Sequence, residues 1–300
     1  LAMLQGFGLM TLLVRQQVLQ RPSLFEMATN VIIVTAGSLF LMWIGELISE
    51  KGIGNGISLL IFSGIVSSLP QVVRQLFFTF DPSQIPTLIM FVAVGLVVIS
   101  AVVFITEAER PIPVSYAKRV RGTRIFGGVS SYLPLRVNQA GVIPIIFALS
   151  IILFPSLIGN FLVSAQNQTV QAVGRVLVNF TSSQAIYGSL YFALVFLFTY
   201  FYTAVTFDPQ EIASNLQKQG GFVPGIRPGP PTASLLSNVL KRITLFGAVF
   251  LGVIAVLPLL VQSATGITAL TIGGTSLLIV ASVVLETVKQ IEAQLSMREY

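Results

Sequence analysis

Eight apolar stretches, most of them near the length a bilayer demands, leave this chain little choice of fold. They cover roughly residues 1–14, 24–45, 56–79, 86–106, 138–163, 184–206, 243–262 and 272–290, and about 20 apolar residues cross a hydrocarbon core as a helix. Only 9% of the 300 residues are charged, 54% are hydrophobic, and the mean hydropathy is +0.87. Soluble domains carry about 25% charged residues, and 17 basic with 11 acidic side chains cannot dress a water-facing surface of this size. Lipid must cover much of it. A backbone in lipid has to satisfy its own hydrogen bonds, which leaves helices or a closed barrel, and the long alternating strands of a barrel are not visible. The sequence therefore predicts an all-α polytopic membrane protein with eight transmembrane helices. The stretch 164–183, polar with Gln and Asn, reads as a loop. Leu1 already lies in apolar sequence with no charged flank, which reads as a fragment of a longer protein and not as a cleavable signal peptide.

Charge sets the orientation. Lys51, Arg110, Lys118, Arg119, Arg121, Arg124, Arg136, Lys218, Arg227, Lys241, Arg242, Lys289 and Arg298 fall on one side of the predicted spans. Arg15, Arg21, Arg74 and Arg175 fall on the other, which accounts for all 17. The richer side is expected to be cytoplasmic, so the C-terminus is expected in the cytoplasm. Two connections on that side are long, 107–136 and 206–242. The second contains Pro224-Gly225 and Pro228-Gly229-Pro230-Pro231, where fixed φ at proline and permissive glycine describe a stiff, turning projection. Positive-inside bias explains the charge of these loops but not their length and rigidity, and long ordered connections are usually functional.

The membrane interior is notable for its chemistry. Glu26, Glu46, Arg74, Glu286 and Lys289 all fall near or beyond span ends, so no proton relay or carboxylate ion site is evident. With no Cys and no His, disulfides and thiolate or imidazole metal sites are excluded. No catalytic set and no cofactor motif is found, and the chain does not read as an enzyme. The stretch GIGNGISLLIFSGIV (52–66) begins like a nucleotide loop, but Ile57 stands where a third glycine is needed and no phosphate-loop Lys follows. Neutral polar residues such as Gln5, Asn55, Asn138 and Ser150 remain inside the spans. Such an interior suits a permease for an uncharged solute, or a channel with an apolar constriction that blocks ions by dewetting.

Five stretches bear on that choice. GIGNGISLLIFSGIV, AERPIPVSYAKRVRG, YLPLRVNQAGVIPIIFALSI, KQGGFVPGIRPG and IGGTSLLIVASVVLE resemble, in order and spacing, the bacterial SecY family of protein-conducting channel subunits. The resemblance spans essentially the whole chain and matches its eight stretches to that family's third to tenth helices. It implies a ten-helix clamshell of two inverted halves related by a pseudo-two-fold axis. Residues 1–79 would be three helices of the N-terminal half, and 80–300 the five-helix C-terminal half. It implies a pore ring of Ile57, Ile61, Ile143, Ile146 and Ile279, a polar gate cluster of Gln5 and Asn138, and partner docking through Arg119, Arg121, Arg124 and Arg227. Pro144, between two ring positions, would loosen its helix. The implied function is passage of unfolded secretory polypeptides across the membrane and lateral release of membrane segments into it. Its implied partners are SecE and SecG, the SecA ATPase, a translating ribosome through its RNA, signal peptides and preproteins, and the lipid bilayer of the bacterial plasma membrane.

Overall fold

The computed structural model describes residues 2–15, 17–20, 22–52, 54–78, 85–116, 119–121, 124–126, 130–163, 165, 167–265 and 269–298. Arg21 and Lys118, used in the charge count, lie outside them. Each of the eight apolar stretches falls on a helix: α1 (Ala2–Arg15), α2 (Leu24–Lys51), α3 (Gly56–Phe78), α4 (Ile85–Glu107), α5 (Ile143–Leu162), α7 (Gln184–Thr206), α9 (Pro230–Thr265) and α10 (Ala269–Arg298). Four helical stretches among the described residues are long and apolar enough to cross a membrane: Leu24–Lys51, Ile143–Leu162, Gln184–Lys218 and Pro230–Ser263. Local chemistry sets the boundaries. Ser23 and Glu26 close a reciprocal capping box that starts α2, with Ser23 N–H donating to Glu26 Oε2 at 2.7 Å. Hydroxyls inside the helices serve themselves: Thr35, Thr199, Thr203 and Ser150 each donate to the carbonyl one turn back at 2.7–2.9 Å.

Two expectations are corrected. The 164–183 stretch is not a loop: Gln168–Ser182 forms a helix, α6, capped by Asn167, whose side chain accepts from the Thr169 N–H at 2.9 Å. Pro144 does not sit in the interior of a helix. α5 starts at Ile143, so Pro144 occupies the first turn, where backbone N–H groups have no helical acceptor and a missing donor costs nothing. The interior proline of α5 is Pro155.

The connections add structure that hydropathy did not announce. In the first, β1 (Glu109–Tyr116) pairs antiparallel with β4 (Ser130–Arg136), Ile112 opposite Leu133, and a short hairpin joins β2 (Arg119–Arg121) to β3 (Arg124–Phe126). The second contributes α8 (Pro209–Lys218) and β5 (Gly221–Phe222), which extends the sheet to the order β4-β1-β5. Among the described residues β5 pairs only with Ser115 and Tyr116. Over Pro111 and Pro113, β1 therefore has a partner on one side only among the described residues, an edge position that tolerates residues without an N–H.

The chain divides into two compact units. One comprises Leu1–Pro82, Ile152–Tyr187 and Val283–Tyr300; the other comprises Ser83–Ile151 and Gly188–Ser282. In the first, Gly8 of α1 abuts Leu157 of α5 so closely that a Cβ would lie 2.6 Å from a Leu157 methyl, and Phe7 meets Phe161 edge-on at 6.1 Å. In the second, Gly252 of α9 receives the Phe192 ring of α7, and Gly247 of α9 lies against the Val137 carbonyl, each at 2.6–2.7 Å from where a Cβ would stand.

Candidate functional site

The glycine-rich turn is a device for crossing two helices. Gly52 caps α2, donating its N–H to the Ile48 carbonyl at 2.8 Å, and Gly54 adopts φ +90, a left-handed conformation that only glycine takes without strain. Asn55 then caps α3, its Oδ1 accepting from the Ser58 N–H at 3.1 Å. A Cβ at Gly56 would overlap the Gly45 carbonyl oxygen of α2, and one at Gly45 would stand 2.9 Å from Ile57 Cγ1. Ser49 rivets the crossing: its hydroxyl donates to the Gly45 carbonyl at 3.0 Å and accepts from the Gly56 N–H at 2.8 Å. The crossing fixes where Ile57 and Ile61, four apart and hence on one face of α3, begin. Ile57 is 44% exposed and Ile61 is half-buried.

The entry to α5 is built differently. The Val137 N–H donates to the Ala108 carbonyl at 2.9 Å, Gly141 turns at φ +61, and the Ile145 and Ile146 N–H groups both reach the Val142 carbonyl. Ile143 and Ile146 lie three apart on α5 and are half-buried, whereas Ile145 is fully buried. Asn138 is 8% exposed and its Oδ1 has no hydrogen-bond partner among the described residues. An orphaned buried acceptor of this kind costs about 1–3 kcal/mol. Gln5, its predicted companion, is half-buried on α1 in the first unit.

The two long connections, read separately in the sequence, share one core. Ile112 of β1, Leu135 of β4, Val223 after β5 and Leu236 of α9 are buried against one another, with Ile226 and Ile212 packed on them. Arg227 rides on this core. Ile226 donates back to the Val223 carbonyl at 3.0 Å, Gly225 and Gly229 flank it at φ +84 and +96, and the Thr232 hydroxyl donates to the Arg227 carbonyl at 2.9 Å. Its backbone is tied while its side chain is exposed. Arg119 and Arg121 lie on β2 and Arg124 on β3, in a register that sets Arg121 opposite Arg124. Between α8 and the start of α9 lies a cleft of about 970 Å³ with mixed walls, among them Asp208, Ala213, Gln217, Ala233, Ser237 and Lys241.

Of the predicted ring, Ile57 and Ile61 belong to the first unit. Ile143, Ile146 and the 7%-exposed Ile279 belong to the second. The sequence reading missed the shared core of the connections and the helix at 168–182.

Together these features define an all-α polytopic membrane protein whose two long connections fold into a common platform. The family model for SecY matches residues 1–288, and the chain belongs to the SecY family. Relatives named protein translocase subunit SecY include those of Mycobacterium leprae, Thermotoga maritima and Streptomyces galbus. The first is 46% identical over 297 residues, covering 95% of this chain and 66% of the relative. The second is 47% identical over 265 residues, covering 88% and 59%. The third is 44% identical over 316 residues, covering 100% and 71%. The chain thus spans about three-fifths to two-thirds of the length of several curated relatives it matches. Two solved structures share the fold at 18% identity. One is of a SecY protein whose plug domain stabilises the closed state of the translocation channel and maintains a membrane seal (TM-score 0.59, covering 97% of this chain and 81% of that one). The other is described as a protein-conducting channel (TM-score 0.58, covering 97% and 80%).

Proposed function

We propose that the chain acts as part of a protein-conducting channel that passes unfolded secretory polypeptides across the bacterial plasma membrane and releases apolar segments sideways into the bilayer. Membership of the SecY family over residues 1–288 carries this reading, and the relatives' designation as translocase subunits supports it. An uncharged-solute permease, the alternative raised by composition, is not favoured by any relative. In this reading residues 1–79 belong to the N-terminal half and 80–300 to the C-terminal half, with the C-terminus in the cytoplasm. Ile57, Ile61, Ile143, Ile146 and Ile279 form an apolar ring that touches the passing chain without binding it. The half-exposed or half-buried state of most of these side chains supports lining over core packing.

Gln5 and Asn138 form a polar gate contact, a role supported by the unpaired Asn138 Oδ1. Such interhelical amide contacts contribute about 0.6–2 kcal/mol, weak enough to break on opening. Arg227, with Arg119, Arg121 and Arg124, engages SecA or ribosomal RNA. The exposed Arg227 fork on a tied backbone suits bidentate grip on carboxylate or phosphate. SecE and SecG complete the channel, and the chain itself is a conduit and not an enzyme. The test is site-specific photocrosslinking from Ile146 in the full-length protein to a stalled secretory chain. Crosslinks that require the stalled chain are expected; a probe that reaches only lipid or other helices of its own subunit would refute the pore assignment.

A further inference from the structure

From its ends, its faces and its charge, we infer that α6 is an interfacial helix, lying along the membrane–water boundary with one face inserted among phospholipid headgroups and upper acyl chains. The ends come first. α5 has 20 residues and α7 has 23, about 30 and 34 Å at 1.5 Å per residue, which matches the hydrocarbon thickness. Leu162 and Gln184 therefore stand near the boundary. Only Ser183 separates α6 from α7, and its N–H caps α6 on the Asn179 carbonyl at 3.3 Å. The other end is tied to the last turn of α5 and to the residues just after it. The Gln171 carboxamide donates to the Ala165 carbonyl at 2.9 Å, and Gly174 lies so close to Gly159 that a Cβ would stand 2.8 Å from the Gly159 carbonyl oxygen. A helix of 15 residues, about 22 Å long, held at both ends to boundary positions, must run along the boundary and not project from it.

The faces agree. At ~100° per residue, α6 carries three separate stripes. Val170, Gly174 and Leu177 turn toward α5 and are wholly or partly covered. Gln168, Arg175 and Asn179 make an exposed polar stripe. The third stripe is apolar and uncovered: Val173, Val176 and Phe180 are 52%, 67% and 43% exposed. It continues the apolar surface of the neighbouring spans, where Ile158, Phe161 and Ile186 are 49%, 58% and 39% exposed. In a membrane protein that surface faces lipid, and the stripe is its extension. Charge points the same way: α6 holds Arg175 and no acidic residue, a composition suited to phosphate headgroups. An apolar face with a basic polar face is the signature of a helix lying in the interface.

The 300 residues contain no cysteine, which makes the depth measurable. Val176→Cys, Phe180→Cys and Asn179→Cys in the full-length protein, each carrying an environment-sensitive fluorophore, are reconstituted into phosphatidylcholine–phosphatidylglycerol vesicles. All three side chains are exposed, so labelling leaves the packing intact. Nitroxide on an upper acyl carbon should quench the 176 and 180 probes several-fold more than the 179 probe, and aqueous iodide should show the reverse order. Equal iodide access at all three would put the helix in water and overturn the inference. Blue-shifted emission at 176 and 180 that neither quencher reaches would overturn it as well, assigning the stripe to a protein partner or a second copy.

Discussion

Gly56 is where α2 and α3 come closest, and replacing it with Ala tests whether that crossing organises the first unit. The new Cβ would overlap the Gly45 carbonyl oxygen and stand 2.7 Å from Ile48 Cβ. Both atoms are fixed to backbone, so neither can rotate away. Restoring ordinary contact with Ile48 alone needs the helices to part by about 0.7 Å, and a gap of 0.5–1 Å forfeits a quarter to a half of each dispersion contact along the seam. The same movement would stretch the Gly56 N–H to Ser49 Oγ bond from 2.8 Å toward its limit, with a loss of about 0.5–1.5 kcal/mol. Overpacking of this kind costs about 1–3 kcal/mol; with the weakened hydrogen bond, and offset by ~1 kcal/mol of helix propensity, the net loss is about 0.5–3.5 kcal/mol. Gly37→Ala and Gly64→Ala, on the same two helices, meet nothing within 4 Å and should be neutral or stabilising. Gly45→Ala should fall between, because it meets the Ile57 Cγ1 at 2.9 Å and that atom can swing aside. Thermal unfolding of the full-length protein in one detergent gives the ranking. A Gly56→Ala protein that melts with Gly64→Ala would refute the reasoning.

Leu236→Ala should cost about 2–5 kcal/mol, because Leu236 is fully buried among Ile112, Leu135 and Val223. Limited proteolysis should open both connections together while the spans stay protected, and cleavage of only one would deny the shared core. Ile146→Asn should wet the proposed ring and raise ion conductance in a planar bilayer, and an unchanged leak would remove Ile146 from it. Arg227→Glu should leave insertion intact but cut partner-driven translocation at equal amounts of inserted protein, with Arg227→Lys intermediate, since charge survives and the fork does not. Normal translocation by Arg227→Glu would reduce that loop to a topology marker.

The spans were legible because hydropathy sums over some twenty residues, and no local detail can reverse so large a sum. What escaped was written in shorter signals. Three prolines, at 111, 113 and 134, sit in the paired strands β1 and β4, and proline argues against a strand unless the open edge is known beforehand. The partner β5 is two residues long and lies about a hundred residues downstream, a pairing that no local pattern can announce. The helix at 168–182 did carry its period, in Val170, Val173, Leu177 and Phe180, but Gln and Asn lowered the mean enough to mimic a loop. Pro144 misled for a related reason. Residues 138–142, Asn-Gln-Ala-Gly-Val, carry no charge and run straight into the apolar stretch, so the sequence places the start of α5 too early and the proline too deep.

That late start has a chemical consequence. A hydroxyl within a helix can donate to the carbonyl a turn behind it, as Thr35, Ser150, Thr199 and Thr203 do, and so enters an apolar span at little cost. Asn138 precedes α5 by five positions in a segment with no regular hydrogen-bond ladder. Its Oδ1 is an acceptor and needs a donor, yet the nearby N–H groups of Val137 and Ile145 are already committed to Ala108 and Val142. This oxygen is thus buried by its neighbours and left without a donor among the described residues by the same local geometry. The penalty is comparable with the strength of one interhelical amide contact. A donor arriving at or leaving this oxygen would therefore change the energy of the α5 entry by an amount large enough to bias two arrangements and small enough to be reversed.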